Sequence, residues 1–346
     1  VKKKIIYICC PAYSKSGGPE LLHQLLFSLN RLNKKAVIAY FGIENDRKDS
    51  PCNEDFKEYL TNGSWISINE IEDKKENVLI VPETNISLLK NYQYITKVIW
   101  WLSVDNFLKV NNFFYNLKNI SIKNAFGKTI KKLLGENKFL INNADLNLCQ
   151  SFYAIKFLKS NHIESKKILY LSDYVNDYYL KESDNIDRNE TKRDNIVFYN
   201  PAKGFKFTRK IIKQSNMHNL KIRWVAIKNM TNYMILENFK RGKVYIDFGN
   251  HPGKDRLPRE AAILGCCVIT GKRGSAKFQE DVAIPHCYKF DDKNIEVNNI
   301  VNRIYYCLNN YSKASNDFLN YRNKIKQEKT KFLVDVKSFS NIIDSI

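Results

Sequence analysis

Val244-Tyr-Ile-Asp-Phe-Gly-Asn-His-Pro-Gly-Lys-Asp-Arg-Leu-Pro-Arg-Glu-Ala-Ala-Ile-Leu-Gly-Cys-Cys-Val-Ile-Thr-Gly271 is the stretch whose reading decides the fold. Val244–Phe248 is an apolar run with the composition of a buried strand. A loop carrying Gly249, Pro252 and Gly253 follows. The pattern predicts a helix from about Leu257-Pro258, with proline where its missing N–H costs least. Gly265 ends that helix, and Cys267–Thr270 is the next strand. Glu260 is expected in the first turn, near the positive end of the helix dipole. Unpaired N–H groups at such a helix start can cradle a phosphate, and a carboxylate beside them can accept hydrogen bonds from a ribose diol.

The same alternation extends in both directions. Upstream lie strand Ile196–Tyr199, a helix near 207–215, strand Ile222–Val225 and a helix near 231–239. An earlier series holds strand Ile5–Cys9, helix Pro19–Leu32 and strands Ala36–Tyr40, Val78–Val81, Val98–Leu102, Leu146–Cys149 and Lys167–Leu171, with a helix near 151–159. Strands alternating with helices imply parallel sheets with right-handed crossovers. Residues 181–194 are almost entirely polar and mark a domain boundary. The expectation is therefore α/β, with two Rossmann-like doubly wound domains facing a central cleft. Residues 1–180 form an N-terminal acceptor domain, and 195–328 a C-terminal donor domain. Residues 329–346 form a C-terminal segment placed to pack back on the first domain, with Phe332–Ile346 as one amphipathic helix. Doubly wound domains bind ligands at the carboxyl ends of their strands.

Glu260-Ala-Ala-Ile-Leu-Gly-Cys-Cys-Val-Ile269 resembles the donor-binding motif of GT-B glycosyltransferases, especially the family-4-like group, with Cys267 in place of the usual proline. The resemblance implies that Glu260 binds the nucleotide ribose. Retaining members carry a second glutamate seven intervening residues earlier. That position is Pro252 here, so the pair is broken. His251-Pro252 resembles a pair that binds donor phosphate in several bacterial sialyltransferases. Gly253, Lys254, Arg256 and Arg259 in the same loop and helix start are candidate phosphate contacts. The donor remains open between UDP-, GDP-, dTDP- and CMP-linked sugars, with no other cofactor expected.

Three further loops follow predicted strands. Asn200-Pro-Ala-Lys203-Gly204 places Lys203 and Gly204 where GT-B enzymes often face the donor diphosphate. Gly271-Lys-Arg-Gly274-Ser275 would bring backbone amides close to a phosphate. Ser14-Lys-Ser-Gly17-Gly18-Pro-Glu20 joins the first strand to the first helix. It is neither a P-loop nor a dinucleotide fingerprint, and its glycine pair is typical of GT-B first halves. An inverting transfer needs a base for the acceptor hydroxyl. Asp105, following Trp100-Trp-Leu-Ser-Val104, is the first candidate, Glu83 in Val81-Pro-Glu-Thr84 the second, and Glu20 the third.

The 346 residues carry 56 Lys and Arg against 36 Asp and Glu, a net charge of +20. This excess suits phosphorylated ligands, an anionic membrane face or nucleic acid. No zinc spacing, helix-turn-helix or RNP-like strand supports nucleic acid, and none is expected as a partner. Residues 122–139 are basic and interleaved with apolar side chains, so an anionic membrane surface is a candidate partner. No apolar run is long enough to span a bilayer, and the apolar part of the first strand is short for a signal peptide. The expected location is cytoplasmic, with peripheral attachment to the inner face of the membrane as an option. The eight cysteines form no Cys-x-x-Cys and read as reduced buried thiols. Among the histidines no pair has metal-ligand spacing. Asp291-Asp292 reads as a polar turn, and no essential metal is expected.

The resulting expectation is a glycosyltransferase. It moves a sugar from a nucleotide donor to a glycan or lipid-linked acceptor, in the setting of bacterial capsule, O-antigen or other surface-polysaccharide synthesis. The rivals are a GT-B-fold sugar-nucleotide epimerase, which needs no acceptor, and a non-catalytic basic binding protein, which turns over no donor.

Overall fold

The computed structural model describes residues 4–44, 50–60, 65–111, 126–184, 193–217 and 221–346, with the side chains of 111 and 126–134 left aside. The chain divides into two compact units: Val1–Asp173 with Lys331–Ile346, and Tyr174–Thr330.

In the first unit, strands β1 (Ile5–Pro11), β2 (Lys35–Phe41), β3 (Trp65–Ser67), β4 (Val78–Pro82), β5 (Thr96–Trp101), β6 (Leu146–Cys149) and β7 (Ile168–Tyr170) form one sheet. Its order is β3-β2-β1-β4-β5-β6-β7. Every pairing is parallel. Ile6, Ile8, Cys9, Leu79, Ile80, Val98 and Ile99 are buried, as expected of strands covered on both faces. Helix α1 (Gly17–Arg31) buries Leu21, Leu22, Leu25, Leu26 and Leu29, the stripe that its sequence spacing predicts. Helices α2 (Val104–Asn111), α3 (Phe126–Asn143) and α4 (Phe152–Ser160) follow among the described residues.

The second unit contains α5 (Asp177–Asp184), β8 (Asp194–Tyr199), α6 (Phe205–Ser215), β9 (Arg223–Ala226), α7 (Asn232–Arg241), β10 (Gly242–Asp247), α8 (Arg256–Ile263), β11 (Cys267–Gly271) and β12 (Lys289–Phe290). Helices α9 (Val297–Asn309) and α10 (Tyr311–Asn316) follow, and then α11 (Leu319–Ser345). The sheet order is β12-β11-β10-β8-β9, again wholly parallel. Both sheets are doubly wound. The chain reverses its direction of spread between β1 and β4 in one and between β8 and β10 in the other. Those reversals are the switch points where such sheets bind ligands.

Three local expectations are corrected. Helix α11 begins at Leu319, well before Phe332. Tyr321 and Ile325 are buried ahead of Phe332, Val336, Phe339 and Ile343, so one helical stripe runs through a segment whose lysines and asparagines disguise it. The strands β3 and β12 are additions to the expected set. They are three and two residues long, too short for alternation to register. Helix α8 begins at Arg256 after an extended Asp255. Pro258 is therefore its third residue, and Glu260 stands in the second turn rather than the first. Proline is tolerated there because the first amides of a helix have no intrahelical partner.

Candidate functional site

At the β8/β10 switch point the two strand ends interlock. Gly204 has φ +57°, and a Cβ there would collide with the Phe248 carbonyl. Gly274 has φ +58°, and a Cβ there would collide with the carbonyl of His251. Glycine is thus required both by conformation and by closeness of approach. The Ser275 amide donates to the His251 carbonyl at 2.9 Å, and its hydroxyl to the Gly253 carbonyl at 2.6 Å. The loops after β8, β10 and β11 are therefore one body, bringing Lys203, Gly204, His251–Arg256, Gly274 and Ser275 together.

A charge network sits within it. Lys203 Nζ lies 2.6 Å from Asp255 Oδ2. His251 Nδ1 lies 2.9 Å from the same oxygen, and His251 Nε2 lies 3.8 Å from Asp247 Oδ1. Tyr245 donates its hydroxyl proton to Asp247 at 2.9 Å. Burial alone would lower the pKa of His251, but Asp247 and Asp255 outweigh it and hold the imidazole above its ordinary value. Burial would likewise raise Asp255; His251 and Lys203 win and hold it low. Asp247 is raised, because burial outweighs its cationic neighbours.

Helix α8 is fixed at both ends. Lys254 and Arg259, both buried, each lie 2.7 Å from a carboxylate oxygen of Glu328 on α11. The positive charges of these two residues thus meet a buried internal carboxylate. At the other end, Arg193 donates to the Leu264 carbonyl at 2.6 Å. Arg322 donates to those of Ala262 and Gly265, at 2.8 and 3.1 Å. These guanidinium groups satisfy carbonyls that a helix C-terminus leaves open. Glu260 is 8% exposed on this braced helix, and Arg256 is its first residue.

The first unit gathers a different set at its β1/β4 switch point. Gly17 and Gly18 open α1, and a Cβ on Gly18 would touch Leu102 at 3.5 Å. The Leu102 amide donates to Glu83 Oε2 at 2.9 Å. Glu83 is buried, and burial pushes its carboxyl up to about 8 against the pull of the Leu102, Glu83 and Ser103 backbone groups. That shift favours the protonated form, and the Leu102 amide ties the carboxyl to the β5–α2 turn. Asp105 follows in the first turn of α2 and accepts a hydrogen bond from the Tyr153 hydroxyl at 2.8 Å. Glu20 lies in the first turn of α1. The structure thus places Gly17, Gly18, Glu20, Glu83 and Asp105 after adjoining strands β1, β4 and β5.

Asp247, His251 and Asp255 offer ligand atoms within 4.8 Å of one another, a spacing that could hold a cation. The Lys203 ammonium already lies against Asp255. The Asp292 side chain is buried and paired with Arg273 at 3.0 Å. All eight cysteines are free; seven are buried, whereas Cys287 is exposed. Of the basic stretch 122–139, residues 122–125 and the side chains of 126–134 lie outside the described residues. Among the described residues no helix is long and apolar enough to cross a membrane.

Asp247, Asp255, Tyr153 and Glu328 are members of these sites that sequence reasoning missed. The four-residue spacing of Asp247, His251 and Asp255 was a usable signal. Glu328 had none, since 69 positions separate it from its partner Arg259 in the sequence.

No protein-family model matches the sequence, and no curated protein does. Solved structures do. A glycosyltransferase from Rickettsia africae aligns at TM-score 0.64 and 11% identity, over 100% of this chain and 99% of its own. A sucrose-phosphate synthase from Thermosynechococcus elongatus aligns at TM-score 0.63 and 12% identity, over 99% and 100%. The chain has the GT-B fold. Anabaena HepE, solved with UDP, aligns at TM-score 0.53 and 12% identity, over 99% and 100%. The GT-B fold accounts for the two doubly wound parallel sheets, each with a set of glycine-bearing loops and charged groups at the carboxyl ends of its strands.

Proposed function

We propose that this GT-B chain is a glycosyltransferase whose nucleotide-sugar donor is held by the strand-end loops of the second unit. The observation that carries this reading is the interlocked body at the β8/β10 switch point. It combines two sterically required glycines, the start of α8 and the partly exposed ammonium of Lys203. Backbone amides and a cation at a helix start suit a diphosphate. Lys203 and Arg256 are the proposed phosphate contacts, and Glu260 the ribose contact. Lys254 and Arg259 brace the helix through Glu328. The solved structures of HepE with UDP and UDP-glucose, and of an E. coli trehalose-6-phosphate structure with UDP-2-fluoro glucose, favour a uridine nucleotide over CMP.

Asp105 is the proposed general base of the first unit, taking the proton of an acceptor hydroxyl in an inverting displacement. Pro252, standing where retaining enzymes of the resembling group carry glutamate, supports inversion. The acceptor is proposed to be a glycan or a lipid-linked sugar of a surface polysaccharide. The test is a thermal-shift panel of UDP, GDP, dTDP and CMP species, followed by donor turnover. A bound nucleotide at ~100 times its dissociation constant should stabilise the fold by about 2.7 kcal/mol. No shift with any of them would refute the donor assignment. Asp105→Asn should keep nucleotide affinity and lower turnover by ~100-fold; normal turnover would remove Asp105 from the reaction.

A further inference from the structure

Asp247, His251, Asp255 and Lys203 alternate in charge from the interior outward. Their side chains are 1%, 0%, 17% and 27% exposed in that order. Asp255 occupies the N-cap position of α8 in an extended conformation, yet its side chain makes no capping hydrogen bond. A carboxylate at a helix start ordinarily accepts one of the orphan amides. This one is turned instead to His251 and Lys203.

We infer that Asp255 is a place-holder for the donor's diphosphate, from which Lys203 is handed over when the donor arrives, and that His251 is the counter-charge that lets Asp255 release it. This rests on the donor reading above. The exchange follows from the geometry. A half-buried carboxylate stripped of its cation is costly. When Lys203 moves to a phosphate, Asp255 keeps His251 at 2.9 Å and is never left uncompensated. If His251 loses its proton, Asp255 holds Lys203 more firmly, and the phosphate must compete for it.

The groups around His251 favour its charged form. Asp247, itself bonded by Tyr245, lies on one side, and Asp255 on the other. Asp292, paired with Arg273, acts from the loops after β12 and β11. Lys203 opposes them. The balance favours the charged imidazole, the form that compensates Asp255 at 2.9 Å.

Calorimetry on the full chain tests this with UDP, GDP, dTDP and CMP, and with the matching nucleosides. Asp255→Asn should tighten diphosphate binding by roughly threefold or more, and His251→Gln should weaken it by a similar factor. Neither should change nucleoside binding. A merely structural role predicts that both substitutions weaken binding, and that result, or no change, would overturn the inference. If Asp255→Asn does not fold, Lys203→Met decides. In that background His251→Gln should no longer weaken diphosphate binding, because Asp255 has no lysine left to retain. An undiminished weakening would refute the exchange. If the wild type binds no nucleotide at all, the donor reading fails and the inference with it; binding without the opposed effects sinks the exchange alone.

Discussion

The carboxyl edges of the two sheets handle buried polarity in opposite ways. At the first, a buried carboxyl, Glu83, is neutralised by its own proton and tied to the chain by the Leu102 amide. At the second, carboxylates face cations: half-buried Asp255 with Lys203 and His251, and buried Glu328 with Lys254 and Arg259, while the innermost, Asp247, is raised by burial as Glu83 is. A buried charge without a partner is prohibitive, so a protein either removes the charge or pairs it. Beside the first, Asp105, bonded by Tyr153, is the proposed base. The second braces α8 through paired charges, and the proposed donor site rests on that frame.

pH should separate the two edges most strongly. Glu83 carries a raised folded pKa, about 8 against 4.5. The folded state therefore binds a proton that the unfolded state has lost. Its contribution to stability is complete below 4.5 and disappears as pH rises through about 8. With each pKa unit corresponding to about 1.4 kcal/mol, the loss is on the order of 4–5 kcal/mol. Glu83→Gln cannot ionise and should escape this loss. Melting curves of the two proteins, measured from pH 5 to pH 9, should converge at the acid end and diverge at the alkaline end. Parallel curves would mean that Glu83 does not titrate as a buried acid, and the contrast between the edges would collapse.

The second edge should break by charge removal rather than by pH. Glu328→Ala leaves the buried Lys254 and Arg259 without the carboxylate they share, and should destabilise the fold by about 3–5 kcal/mol. Chemical denaturation measures this directly. Double replacement of Lys254 and Arg259 by methionine in the Glu328→Leu background should recover much of the loss, because an apolar set of similar volume needs no pairing. Failure of that recovery would show that the triad does more than brace α8.

The sequence made the strands and switch-point loops legible because their signals are local. Ile5–Cys9, Val78–Val81 and Val244–Phe248 are apolar runs, and Gly17-Gly18, Gly204 and Gly274 punctuate loops at strand ends. Helix α8 was misplaced at its start because Asp255 and Arg256 look like more of a polar loop. Only the extended backbone of Asp255 shows where the helix begins. The bracing of α8 was not legible at all. Glu328, Arg193 and Arg322 lie far from it in sequence, and a lysine or arginine in a loop gives no sign of which carboxylate it will meet. Lys254 and Arg259 accordingly read as phosphate contacts in the sequence, while their charges turn inward in the structure. Asp105 and Glu83 were visible as carboxylates after strands. The raised pKa of Glu83 depends on burial, which no local pattern displays.

Glu260 offers the smallest effect and the finest test of the second edge. It stands in the second turn of a helix clamped at both ends, 8% exposed. A carboxylate accepting hydrogen bonds from a ribose diol contributes about 1.5–3 kcal/mol per bond. Glu260→Gln retains shape and one acceptor, so part of that should survive, and nucleotide binding should weaken roughly tenfold, about 1.4 kcal/mol. The free base, which lacks the ribose, should bind as before. Because Glu260 lies beyond the first turn, little of its effect can come from the helix dipole, which falls off within that turn. A purely structural carboxylate would instead lower the melting temperature and leave affinity intact. Measuring both quantities on the one variant separates these outcomes: a lowered Tm with unchanged nucleotide affinity would return Glu260 to the frame, alongside Glu328, and leave the donor's ribose to another group.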